Sequence, residues 1–515
     1  MTGTHRIIGT EIEYGISTPA TPQASPILTS TEVVKAYARA HAPASGKRAR
    51  WDYEPESPLR DTRGYDLHRY RMTPVVDPDA IGAANIILDN GARFYVDHAH
   101  PEYSAPETTS PLAAVIADRA GDRIILEAAK LAADSGELPE VRIYRNNVDG
   151  KGASYGAHEN YLIRRDVPFE TFADALVPFF VTRQVYAGAG RVGLGEAGQE
   201  TTADAGFQIS QRADYIETEI SLETTLNRGI INTRDEPHAD GELWRRLHVI
   251  IGDANMSETA TFLKLGATCL VLSAIEDGVD FSDLALREPV KDVRRVSRDL
   301  TCTTKLQHDD HVTWRTAVEI QREYLERCAR YDDGEVARLW GEVLDLLADD
   351  PRKTSHLLDW TAKLGLLDGL RARAGGDWRH PKLALVDLQY ADIDPARGLH
   401  RALERRGSMR RLTTEEQVAH AAAHPPEDTR AFFRGELLRR FPDDVVAASW
   451  NSAIVRAGGP ETRGGDRDDT GDLVKMRFQG LASHTREEVG GILEEATDAA
   501  DLIRRLRGRG LAGLH

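Results

Sequence analysis

Cysteine is almost missing from this chain. There are three in 515 residues, Cys269, Cys302 and Cys328, and no CxxC pair. That scarcity excludes a disulfide framework and a cysteine-built zinc site, and it fits a reducing, cytoplasmic setting. Long apolar runs are missing as well. The most apolar region, around Leu263 to Ile275, is interrupted by Lys264 and Gly266. It falls short of the roughly 20 residues of a membrane span and reads as a buried core helix, so no membrane partner is expected. The first residues, Met1 to Arg6, enter a predicted strand at once, without a signal-peptide pattern. Positive charge is in deficit, 65 Lys and Arg against 82 Asp and Glu, for a formal −17. A nucleic-acid partner is therefore not expected, although local basic clusters exist. No internal repeat is visible.

What is present is a large apolar fraction, 41%, enough for more than one folding unit at this length. Strand patterns are predicted at 6–16, 82–88, 92–97, 141–145 and 158–164, with a helix near 30–42 and a long one from Leu112 to Ala133. Further short strands follow at 206–210, 215–217, 230–233 and 246–251. From Ser257 onward the apolar spacing is helical. Strands first and helices later imply an α+β fold rather than a doubly wound parallel sheet. Residues 43–80, rich in Pro, Arg, Asp and Tyr, read as a long polar loop; Trp51, Tyr53 and Tyr65 suggest a functional one. Thr414 to Gln417 matches a capping box and His424-Pro425-Pro426 ends that helix. This places a boundary between a catalytic domain, 1–425, and a small C-terminal domain, 426–515, with a Gly/Asp/Arg loop at 458–472.

Two segments carry the chemistry. In Ile7-Ile8-Gly9-Thr10-Glu11-Ile12-Glu13-Tyr14, a strand would put Glu11 and Glu13 on one face. In Asn90-Gly91-Ala92-Arg93-Phe94-Tyr95-Val96-Asp97, Arg93, Tyr95 and Asp97 share a face while Phe94 and Val96 enter a core. His100-Pro101-Glu102-Tyr103 follows. Carboxylates converging on one sheet face repel unless cations lie between them, and hard oxygen ligands suit Mg²⁺. Tyr155-Gly156-Ala157-His158-Glu159-Asn160 sets His158 and Asn160 on one strand face, and His248 lies in Arg246-Leu247-His248-Val249. Arg212, Arg228 and Arg234 are repeated arginines on predicted strands, of the kind that clamps phosphate. Trp450 is either core packing or a stacking wall for a base. Gly188-Ala189-Gly190-Arg191-Val192-Gly193 matches GxGxxG, but more Gly and acidic residues follow it instead of a helix, so a hairpin loop is expected there.

Taken together, Gly-Thr-Glu-Ile-Glu-Tyr-Gly, Asn-Gly-Ala-Arg-Phe-Tyr-Val-Asp, His-Pro-Glu-Tyr, Ser-Tyr-Gly-Ala-His-Glu-Asn-Tyr and Ile-Ile-Asn-Thr-Arg-Asp-Glu-Pro-His-Ala-Asp resemble the Pup-processing enzymes. That family holds the Pup ligase and the deamidase of Pup, and is related to the carboxylate-amine ligases and glutamine synthetase. The resemblance runs over almost the whole chain. It implies a curved, mostly antiparallel sheet cradle of glutamine synthetase type, backed by helices, with a small C-terminal domain. Residues 43–80 resemble the extra loop of the deamidase, and Ala105 stands where the ligase has a nucleotide-contacting threonine. The resemblance therefore implies the hydrolase: deamidation of the C-terminal glutamine of Pup and cleavage of the Pup–lysine isopeptide bond. The alternative is the ATP-dependent Pup–protein ligase; a silent Pup-binding regulator is a third reading. By position, Asp97 resembles the catalytic aspartate; Glu11, Tyr95 and Glu102, with His158 and His248, resemble metal ligands; Arg93 and Trp450 resemble nucleotide contacts; Arg212 and Arg234 would hold the terminal phosphate. Glu13 is expected near the site. The implied cofactors are Mg²⁺ and ATP, or ADP with phosphate, not consumed in net turnover. The implied partners are Pup and pupylated proteins, and a basic groove for acidic Pup would draw on Arg164, Arg165, Arg245 and Arg246.

Overall fold

A computed structural model describes the chain from residue 3 to 514, except 44–47, 55, 58, 65–79, 150–152, 196–205, 333, 458–472, 479 and 512. Tyr65 and the 458–472 loop lie outside the described residues. Six strands form the central sheet: β1 (Ile8–Glu13), β2 (Asn85–Ile87), β3 (Arg93–Asp97), β4 (His100–Ser104), β5 (Ala157–Arg164) and β6 (Trp244–Val249). Their spatial order is β6-β5-β1-β4-β3-β2, and each adjacent pair runs antiparallel.

Strand alternation gives the sheet two unlike faces. Ile8, Ile12, Phe94, Val96, Tyr103, Tyr161, Leu247 and Val249 are buried in apolar cores. Helices α1 (Pro26–Ala40), α2 (Pro111–Asp134), α3 (Phe169–Ala187) and α4 (Glu258–Glu276) supply much of what covers them. The opposite face carries the carboxylates. Contrary to the reading of its interrupted apolar run, helix α4 is long and apolar enough, by length and composition, to cross a membrane. From Glu258 to Ile275 it is buried inside the protein instead. The arrangement is α+β, as the order of patterns predicts.

A third apolar core is built from Phe432, Phe433, Leu437, Val445, Val455, Phe478, Val489, Leu502 and their neighbours. It lies under strands β7 (Val445–Ala448), β8 (Ser452–Arg456) and β9 (Leu473–Arg477) and three helices, Ala431–Arg440, Arg486–Glu495 and Ala499–Gly508. The polar 43–80 segment is not a plain loop. Arg50–Trp51 pairs in parallel with β7 as an extra strand of this sheet. Composition hides this because the pairing partner lies about 400 residues away in sequence.

Two other expectations change. Arg212, Arg228 and Arg234 are not on strands. Arg212 leads into the short 3₁₀ turn Ala213–Tyr215, and the other two flank the strand Gly229–Asn232. The backbone N–H of Arg234 donates to Asn232 Oδ1 at 3.0 Å, a local bond that competes with the ladder and ends the strand. Strand 215–217 likewise begins only at Thr218. The glycine-rich segment leads, as expected, into a hairpin, with Arg191–Val192 paired to Phe207–Gln208.

One buried ion cluster ties this core to the central sheet. Glu107, just past β4, accepts from Arg430 Nε at 2.8 Å and from Arg434 Nη2 at 2.5 Å. Arg434 also donates to the carbonyls of Gly91 and Trp450, and Arg430 to that of His238. Burial opposes ionisation of Glu107, but the two guanidinium groups outweigh it and hold its carboxyl down to about 2. Because the folded value is depressed, this stabilisation is present above the ordinary carboxylate range and fades as pH falls toward 2. Glu107→Gln leaves two buried guanidinium groups without their counter-charge. A loss of about 3–5 kcal/mol in unfolding free energy at pH 7 is expected by denaturant titration, with the gap to wild type narrowing toward pH 2.

Candidate active site

The register of the sheet brings the polar side chains together. Across β1 and β5, Glu11 faces His158; across β1 and β4, Glu13 faces Glu102; across β3 and β4, Tyr95 faces Glu102 and Asp97 faces His100. His248 faces Asn160 across β5 and β6. All of these lie on the face away from the helices.

They sort into two cation-sized groups. In one, ligand atoms of Glu11, His158 and His248 lie within 4.8 Å of one another; in the other, those of Glu13, Asp97 and Glu102 do. His158 Nδ1 is 3.3 Å from Glu11 Oε2, and the His158 and His248 rings meet edge to face at 4.9 Å. Tyr95 enters through a neighbour: its hydroxyl donates to Glu102 Oε1 at 2.5 Å. Glu13 accepts from the Gly156 N–H at 2.7 Å and lies 3.4 Å from His100 Nδ1. Asp97 is 3.1 Å from the imidazole of His98.

The charge balance of these groups shows what they lack. Burial, and then the charges of Asp97, Glu13 and Glu11, hold Glu102 well above the usual carboxylate range. For Glu11 burial works the same way, but the His158 hydrogen bond and the nearby His248, His158 and Arg246 overcome it and keep the carboxyl well below that range. Burial, with Arg246 and His158 beside it, keeps His248 far below the usual imidazole value. Its Nε2 is buried without a hydrogen-bond partner. An orphaned neutral imidazole nitrogen beside crowded carboxylates fits a divalent cation. The all-oxygen group suits a hard cation such as Mg²⁺, and the mixed group tolerates one with some affinity for nitrogen.

The nucleotide-type residues are arranged around this cluster. The Arg93 guanidinium is 4.0 Å from both the Trp51 and Tyr95 ring centres, and its Nη1 is 3.4 Å from Glu56. Trp51 in turn packs edge-on against Trp450, with ring centres 5.3 Å apart. A cleft lined by Glu11, Ala105, Asn160, Leu162, Arg246 and Trp450 among others opens between the sheet and the C-terminal unit. Burial and then Arg246 lower the pKa of Arg234, while Glu11, Glu236 and Tyr95 oppose the shift. The Nε atoms of Arg234 and Arg246 are buried and without hydrogen-bond partners. Arg212 differs. It is buried, and it donates to Ser154 Oγ, the Tyr155 carbonyl and the Ile250 carbonyl at 2.9, 2.9 and 3.1 Å. Burial, and then Arg228, push it down to about 10. It holds the loop that leads to Gly156.

The four arginines expected to line a basic groove take separate partners. Arg164 pairs with Asp166, Arg165 with Asp235, and Arg245 donates to the carbonyls of Arg165 and Val167. Of the four, Arg246 belongs to the active face. Residues that sequence reasoning underweighted are Glu13, Asn160, Arg246 and Gly156. The signal for the first three was the two-residue spacing from Glu11, His158 and His248.

The model of the Pup-ligase protein family matches residues 6–454. The chain belongs to this family. It is 53% identical, over 97% of its length and 99% of the relative's, to the Pup deamidase/depupylase of Mycolicibacterium smegmatis. Among solved structures it resembles the complex of the prokaryotic ubiquitin-like protein Pup with its ligase PafA, with a TM-score of 0.76 at 30% identity, covering 99% of this chain and 96% of that one. It also resembles the Pup ligase PafA in complex with ADP, with a TM-score of 0.70 at 34% identity, covering 80% and 89%. The sheet cradle is thus the family's framework, and the site lies on its open face.

Gly156 is required by this geometry. A Cβ there would stand 2.2 Å from His158 Nε2 and 2.8 Å from Glu13 Oε1. Gly156→Ala is expected to push both groups out of place. Divalent-cation affinity, measured by titration calorimetry with Mn²⁺, should fall at least about tenfold while the circular dichroism spectrum is kept.

Proposed function

We propose that this protein is a hydrolase of Pup: it converts the C-terminal glutamine of Pup to glutamate and cuts the isopeptide bond between Pup and a substrate lysine. The full-length identity to a Pup deamidase/depupylase, far above that to the ligase structures, favours this reading over the ligase. The observation that carries the chemistry is the position of Asp97 at the end of β3, within the carboxylate group of Glu13 and Glu102.

Amide hydrolysis needs a nucleophile, a stabilised oxyanion and a proton for the leaving amine. Asp97 either attacks the amide carbonyl or draws a proton from an attacking water. Ammonia leaves in one reaction and the lysine amine in the other. Glu13, Glu102, Glu11, His158 and His248 would hold Mg²⁺, with Tyr95 fixing Glu102. When bound, Mg²⁺ would supply positive charge at this face and the nucleotide would order it, without being consumed in net turnover. Trp450 and Trp51 would wall the base, Arg93 would contact the nucleotide, and Arg234 with Arg246 would meet the terminal phosphate. Arg212 would act from beneath, through the loop it holds. We also place the division between a catalytic unit, 1–425, and a C-terminal unit, 426–515, which supplies Trp450. Free, buried Cys269, Cys302 and Cys328 suit a cytoplasmic enzyme.

Incubation with Mg-ATP and glutamine-ended Pup should release ammonia and change the Pup mass by the amide-to-acid exchange, without stoichiometric loss of ATP. Conjugates formed with ATP consumption would instead mark a ligase. Asp97→Asn should abolish ammonia release and leave nucleotide binding intact; undiminished turnover would remove Asp97 from the mechanism. Hydroxylamine present during turnover would trap an Asp97 anhydride on the direct-attack route. Trp450→Ala should weaken nucleotide binding by about 1–3 kcal/mol, read by equilibrium dialysis.

A further inference from the structure

Asn160 lies between the two kinds of ligand in the nitrogen-containing group. Its side chain contacts Glu11 Oε1 at 2.9 Å on one side and His248 Nδ1 at 2.9 Å on the other. A carboxylate only accepts, so the atom of Asn160 facing Glu11 is Nδ2, the donor. The atom facing His248 is then Oδ1, which also only accepts. Nδ1 of His248 must carry the hydrogen. We propose that Asn160 is a positioning residue that locks His248 in its Nδ1–H tautomer and fixes the Glu11 carboxylate. The Glu11–His158–His248 group is thereby shaped to take a divalent cation before one arrives.

The rest of the geometry agrees. With the hydrogen on Nδ1, the lone pair of His248 is on Nε2, the buried atom without a hydrogen-bond partner. The other tautomer would place an N–H on the buried Nε2, which has no acceptor, and leave Asn160 Oδ1 facing a lone pair. Both outcomes cost free energy in a buried setting. Strand register makes the arrangement stiff. Asn160 is held between Gly9 of β1 and His248 of the edge strand β6, with a paired strand on each side. An outer residue of this type fixes the orientation of a metal-binding imidazole, and its loss ordinarily weakens metal binding.

The metal half of this inference rests on the cation reading of the site; the tautomer half does not. Histidine-selective ¹⁵N NMR of the metal-free, full-length protein is the first test. His248 should show a protonated Nδ1 and a bare Nε2. The second test compares Mn²⁺ binding, followed by electron paramagnetic resonance, in wild type and Asn160→Leu, which keeps the shape and removes both hydrogen bonds. Affinity should fall about 10–100-fold, with His248 released into a tautomer mixture. A wild-type His248 protonated on Nε2 overturns the proposal, as does a Leu variant that binds Mn²⁺ like wild type. Should Asn160→Leu not fold, the wild-type tautomer alone decides. Neither readout uses Pup or turnover, so a failed deamidation assay would leave this result standing, and a wild-type protein that binds no Mn²⁺ would sink the metal half alone.

Discussion

Four carboxylates, Glu11, Glu13, Asp97 and Glu102, converge on one face of a single antiparallel sheet, and the rest of the site is arranged around their mutual repulsion. In water such a cluster would relax by moving apart. Here the ladder holds the backbones at fixed spacing, so relief has to come from protons, histidines or cations. Burial, and then the other three, push Glu102 toward protonation, while the His158 hydrogen bond keeps Glu11 ionised against its own burial. Neighbouring groups of the same chemical type are thus driven in opposite directions by their surroundings. Such divergence is typical of sites that do acid–base or metal chemistry.

The second structural theme is closure of the cradle from outside. The C-terminal unit and the 43–80 insertion are far apart in sequence, yet they share a sheet through Arg50–Trp51 and β7. Trp51 meets Trp450, and Glu56 meets Arg93. Farther along, Asp61 accepts from Thr233 Oγ1 at 2.8 Å, and the Arg60 carbonyl accepts from the Asp235 N–H at 2.8 Å. The segment around residues 50–61 therefore crosses from Trp450 to the segment that carries Arg234. Glu107 anchors the same junction from below, through Arg430 and Arg434, and Arg434 also holds the carbonyl of Trp450. Trp51, Trp450 and Arg93 are thus held in place by the same contacts that join the C-terminal core to the sheet.

Much of the active face was legible in the primary structure because strand geometry repeats every two residues. Glu11 with Glu13, Arg93 with Tyr95 and Asp97, and His158 with Asn160 could each be assigned to a common face before any fold was known. Helices α2 and α4 and the Thr414 capping box were similarly open to inspection, since their signals are local. The arginines were not. Arg212, Arg234, Arg245 and Arg246 look alike in sequence, but one holds a loop, two lie near the charge of Glu11 and one serves backbone carbonyls. Partner choice for a long, charged side chain depends on what lies within several ångströms, and spacing along the chain carries no record of that.

By itself, then, the order of residues determined the α+β class, the two acidic strands, the side of each strand that carries chemistry and the capped helices, because these depend on contacts between near neighbours. Only the tertiary structure decided that Glu11 would face His158, that Glu13 would face Glu102, that Asn160 would join Glu11 to His248, and that an insertion near residue 50 would pair with a strand near residue 447. Those are pairings between distant parts of the chain. They are settled by which register buries the apolar faces most completely, a property of the whole packed sheet.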